Sequence, residues 1–224
     1  AGMCLNAIFL WLWRVLPQRY SLFSTLSQRG STNDIGFMVT LMSFITLGLW
    51  ALGATAWVSL SHHLLSSPSL KFYGGLGATV IIILIGGLAT SSQRSAPKGV
   101  HRVRLSTLLL RGLCAMIAVT LAVYISKTGA TTVAGVAAVF PAIFWTTMVS
   151  LWLSQGQAVP AGAVGPMMIG SSSVAIFALT APHLYLYGGA TWGALGAWCI
   201  AALFASVPSY MWVKRASSPD HNAS

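Results

Sequence analysis

Six runs of apolar residues, each roughly 18–26 long, follow one another along the chain with short polar breaks between them. They occupy 35–60, 73–90, 105–126, 131–154, 158–182 and 188–213, and are called spans A to F. About 20 apolar residues in a helix cross the hydrocarbon core of a bilayer, and a helix satisfies all its backbone polar groups without help from water. The pattern therefore predicts an all-α, polytopic transmembrane helix bundle with six full spans. A shorter apolar stretch at 1–16 would be about 24 Å long as a helix, a partial seventh span. Residues 17–34 read as a polar loop. The expected organisation is an N-terminal half at 1–90, a basic linker at 91–104, a four-span half at 105–215 and a disordered tail at 216–224.

Composition agrees with the pattern. The chain is 56% hydrophobic and 6% charged, with a mean hydropathy of +0.77, which places it in the membrane class. Its net charge of +10 follows the connections between spans. Arg14, Arg19, Arg29, Arg94, Lys98, Arg102, Arg104, Lys214 and Arg215 fall on one side of the alternating spans, and only Lys71 and Lys127 on the other. Nine against two predicts that the 1–34 end, the 91–104 linker and the C-terminus are cytoplasmic. Membrane lipid, not nucleic acid, is the expected partner of these cations. Trp57, Tyr73, Tyr124, Tyr185, Tyr187 and Trp192 would then form an outer aromatic belt, with Trp152 and Trp212 at the inner one. The first 16 residues lack a basic leading region and so do not read as a signal peptide. A chain opening on Ala1 is expected to be processed or to continue a longer parent.

Two stretches echo each other. Tyr73-Gly74-Gly75 and Tyr187-Gly188-Gly189 each open an apolar run that continues into Gly-Leu-Gly-Ala or Ala-Leu-Gly-Ala. A duplicated four-span unit, with both copies in the same orientation, would give this pattern; chance matching of glycine-rich apolar text would as well. The second half carries LLLRGLCAMIAVTLAVYISKT at 108–128 followed by AGVAAVFPAIF at 134–144. With a basic residue early in the first helix (Arg111), Ser126-Lys127-Thr128 at its end and Phe140-Pro141 in the second helix, this stretch resembles the GlpM-like family of small inner-membrane proteins. The resemblance covers about 105–215. It implies a four-span inner-membrane module and no settled biochemical activity. This chain is at least twice as long as such a module, as if it were duplicated.

Candidate chemistry is sparse. Neither Asp34 nor Asp220 lies inside a span, so the intramembrane carboxylate on which proton-coupled carriers commonly depend is missing. Cys4, Cys114 and Cys199 sit in apolar runs, and the five histidines sit in connections or the tail, in no zinc-ligand spacing. No metal site, cofactor or enzymatic constellation is expected. Arg111 is the one formal charge within a span; it either snorkels to the headgroups or faces a cavity and holds an anion. Pro141, Pro166 and Pro208 each remove a helix N–H and would free the carbonyls of Ala137, Gly162 and Phe204. Ser171, Ser172 and Ser173 place three hydroxyls at mid-span. Arg111, Pro141, Pro166 and Ser171–Ser173 together would make a small polar site between spans C, D and E, and the expected function is a transporter or permease for a small solute. The rival is a non-transporting scaffold or assembly subunit, possessing a homo-oligomeric or membrane-protein partner, in which the serines bond back to their own helix and the small residues pack.

Overall fold

The computed structural model describes residues 2–19, 32–64, 67–91, 105–127, 133, 136–137, 140–156 and 158–216. The expected linker at 91–104 (beyond its first residue), most of the 17–34 loop, and the tail beyond Ala216 lie outside them. The described chain is helical: α1 (Gly2–Arg19), α2 (Thr32–Leu64), α3 (Pro68–Ser91), α4 (Leu105–Lys127), α5 (Ala142–Gln155), α6 (Ala158–Ala201), a π-helical turn (Ala202–Ser206) and α7 (Val207–Ala216). Among the described residues, three helices are long and apolar enough to cross a membrane: Asp34–Ser61, Phe72–Thr90 and Val159–Arg215. The protein is thus an all-helical chain of membrane-spanning character.

The third of these has 57 residues, about 86 Å if straight, far beyond a bilayer. It does not run straight. Gly189 has φ 66° and ψ −175°, a conformation essentially reserved for glycine, and the chain reverses there. The two arms lie antiparallel: Gly193 faces Leu184 and Tyr185, and Ser209 Oγ donates to the carbonyl of Ile169 at 3.4 Å. The sequence placed the break at 183–187, because Pro182, His183 and two tyrosines read as a connection; the helix instead continues through them to the glycine pair. Gly189→Ala is expected to cost about 1–3 kcal/mol of stability, read as a lowered unfolding temperature in detergent; an unchanged value would mean the turn does not need glycine.

The same glycine weakens the proposed duplication. Gly74 and Gly75 lie within α3, while Gly189, at the matching place, makes the reversal. The motif shared in sequence thus adopts two local structures. Span D also differs from expectation. Pro141 is the residue preceding α5, with φ −82° and ψ 45°, rather than a kink inside a 24-residue helix. The carbonyl of Ala137, expected to be freed, accepts the Phe140 N–H at 3.2 Å. At the N-terminus, α1 runs past Leu16 through Pro17 to Arg19.

The core is built by α1, α2, α5 and the first arm of α6. Phe9, Leu10, Trp13, Met38, Met42, Met148, Trp152, Val164 and Met168 are buried together. Trp13 and Trp152 meet edge to face, 5.7 Å between centroids. Trp152, expected at an interface, is therefore a core residue: it is 3% exposed. Helices from both halves of the chain share this core. On its outer side, α3 packs antiparallel on α6 through small residues. A methyl group on Gly86 would lie 3.0 Å from Ile169 and Met168; one on Gly165 would lie 2.6 Å from Thr90 Oγ1. Close helix contact without side chains in the way is the means by which helices associate where no water can drive them together.

Candidate functional site

Apart from single threonines such as Thr46, Thr79 and Thr147, the buried polar side chains among the described residues fall into two groups, and only one had been anticipated. The anticipated group is on α6. Ser171 is buried and donates to the carbonyl of Met168 at 2.7 Å; Ser173 donates to the carbonyl of Gly170 at 2.8 Å; Ser172 is 2% exposed. Consecutive residues of an α-helix stand 100° apart, so three serines in a row spread over about 200° and cannot converge on one point. Ser171 continues the buried line of Val164 and Met168 toward the core. Ser172 shares a face with Gly165 and Ile169, the residues against α3. Ser173 is on the remaining, outer side. Pro166 lies inside the first arm of α6, half-buried. Pro141 is buried at the start of α5, and its carbonyl accepts the N–H of Trp145 at 2.8 Å. Arg111 belongs to α4, but its side chain lies outside what is described. Helix α4 packs on α5.

The second group escaped the sequence reading. Asn6 of α1 and Trp50 of α2 are both buried, and the indole N–H donates to Asn6 Oδ1 at 3.1 Å. Phe140 closes over the same indole edge to face, 5.5 Å between centroids. Seven residues earlier on α2, Ser43 accepts the indole N–H of Trp145 at 3.0 Å and donates its own proton to the carbonyl of Val39 at 2.8 Å. These two bonds cross between helices 44 and 102 residues apart in sequence, and fix the antiparallel register of α2 against α1 and α5. A third tryptophan, Trp13, is 1% exposed, and its Nε1 has no hydrogen-bond partner. One signal could have found the pair on α1: Asn6 is the only polar residue between Gly2 and Trp13, and an amide inside an apolar helix is costly unless paired.

The hydroxyls elsewhere repeat the behaviour of the serines. Thr40, Thr46, Thr55, Thr79, Thr90, Thr146 and Thr180 all donate to a carbonyl one turn back in their own helix, at 2.7–2.8 Å. Among the described residues no three His, Cys, Asp or Glu side chains are grouped so as to hold a metal. Cys4 and Cys199 are free thiols. Compared with known proteins, the chain matches no family model, no curated protein and no solved structure. The local chemistry therefore has to carry the functional reading: it is that of helices satisfying their own polar groups and of tryptophans pinned to small polar acceptors.

Proposed function

We propose that this integral membrane protein is a six-span helical module that acts as a non-transporting scaffold or assembly subunit, with its basic connections and C-terminus in the cytoplasm. The observation that carries the reading is the bond from Ser171 to the carbonyl of Met168. A hydroxyl that gives its proton to its own backbone in a buried position has no proton left to donate to a solute. Ser173 does the same, and the three serines diverge around the helix. In a permease, by contrast, polar side chains from several helices would converge on a path near the midplane. The resemblance of 105–215 to the GlpM-like family would fit a small module of this kind, and catalysis has no part in the proposal. The charge bias of nine cations against two supports the orientation.

Cysteine accessibility tests the reading. Cys4, Cys114 and Cys199 are replaced by alanine, and single cysteines are placed at Ser171 and Ser172, with one at exposed Lys214 as a positive control. A membrane-impermeant thiol reagent is then added from each side. The expected result is labelling at Lys214→Cys alone. Labelling at Ser171→Cys or Ser172→Cys in the folded protein would put water at mid-span and return the permease reading, with Arg111, Pro141, Pro166 and the serines as its candidate site.

A further inference from the structure

We infer that one end of the bundle is a docking face for the headgroups of anionic phospholipids. The helix registers decide which residues meet there. Trp13 near the end of α1 packs on Trp152 near the end of α5, and Gln155 is separated from α6 only by Gly156 and residue 157. The start of α6 lies against the end of α3, with Gly165 on Thr90. Trp212 of α7 lies over Gly87 of α3, 3.5 Å from where a methyl group would stand. The C-terminal ends of α1, α3, α5 and α7 therefore share one end of the molecule, and the N-terminal end of α2 joins them by its antiparallel packing on α1.

Among the described residues, this end holds Arg14 and Arg19 from α1 and Lys214 and Arg215 from α7, against one acid, Asp34 at the start of α2. Arg19, Lys214 and Arg215 are exposed; Arg14 and Lys214 also have partners within the protein. Lys71, in the first turn of α3, is at the opposite end. The contact of Trp212 with Gly87 ties Lys214 and Arg215 to the bundle rather than leaving them on a free tail. Beside the cations lies exposed apolar and aromatic surface: Trp11, one turn before Arg14, and Met211 and Trp212, within about one turn of Lys214 and Arg215. A partner that fits must present negative charge at the edge of an apolar phase. Phospholipid headgroups do so; tryptophan prefers the same level of the bilayer, and each cation near an anionic leaflet strengthens association by roughly fivefold. The inference needs only that the protein sits in a membrane, so it stands or falls separately from the scaffold reading.

The test is native mass spectrometry of the full chain in an uncharged detergent, titrated in parallel with phosphatidylglycerol and phosphatidylcholine. Phosphatidylglycerol should be retained at least about fivefold more strongly. The combined R14Q, R19Q, K214Q and R215Q variant should retain both lipids equally, and K71Q should keep the full preference. If the combined variant does not fold, the pairs R14Q/R19Q and K214Q/R215Q should each reduce the preference. Equal retention by the wild type would overturn the proposal, as would a preference that survives the variants. So would binding of soluble glycerol phosphate as strong as that of the lipid, which would make the site one for free phosphate.

Discussion

Gly193→Val should lower the unfolding free energy by roughly 3 kcal/mol or more, beyond the usual range for added bulk in a packed core. A Cβ at this position would stand 2.6 Å from Cδ1 of Tyr185, 2.8 Å from its backbone nitrogen and 2.9 Å from the carbonyl carbon of Leu184. Rotating a side chain relieves only the first of these contacts. The other two are with backbone inside a helix, so one arm of the hairpin must move away from the other. The reversal at Gly189 brings the arms together only four residues earlier, which leaves little chain to absorb the shift. Thermal unfolding in detergent, followed by tryptophan fluorescence, reads the effect. Gly77→Ala and Gly170→Ala are the matched controls, because a methyl group at either meets nothing within 4 Å. Each should gain up to about 1 kcal/mol from better helix propensity. If Gly193→Val melts with the controls, the two arms do not touch at this point.

The hairpin also shows what the sequence could and could not reveal. Spans A and B, and the helical course of C, were legible because an uninterrupted apolar run has few alternatives to a helix. The boundary between E and F was misplaced because Pro182, His183, Tyr185 and Tyr187 look like a connection, yet proline is tolerated in a membrane helix and tyrosine belongs at its ends. Only Gly189 is forced by geometry to be the turn, and nothing in the composition distinguishes it from Gly188. Span D failed for the opposite reason: Pro141 starts a helix as readily as it kinks one, and the neighbouring contact of Phe140 with Trp50, 90 residues away, is not readable from the local sequence. The serines were read as a cluster because they are adjacent in sequence, although adjacency on a helix means divergence. The bonds of Ser171 and Ser173 to carbonyls three residues back were legible as a local option. The pairs Asn6–Trp50 and Ser43–Trp145 were not, since each needs two distant helices to be in register.

Trp13 separates the roles of these tryptophans. Trp13→Ala should cost about 3–5 kcal/mol, the usual loss for deleting a buried large aromatic, since its ring packs against Phe9 and Trp152 in the core. Trp13→Phe should cost far less, or even stabilise. It keeps an aromatic ring beside Trp152 and removes a buried N–H that has no partner, and an unmade hydrogen bond of this kind carries a penalty of about 1–3 kcal/mol. The small void left by the narrower ring opposes the gain. At Trp50 the same substitution has the opposite sign. The donor lost there is matched by Asn6 Oδ1, so Trp50→Phe leaves a buried acceptor without its donor and should destabilise by about 1–2 kcal/mol. Asn6→Ala combined with Trp50→Phe should then cost less than the sum of the two, by about 0.6–1.7 kcal/mol, the coupling found for hydrogen bonds between membrane helices. The unfolding temperatures of the single and double variants settle the order. A Trp13→Phe protein less stable than Trp50→Phe would mean that the void left in the core outweighs the unmade hydrogen bond at Trp13.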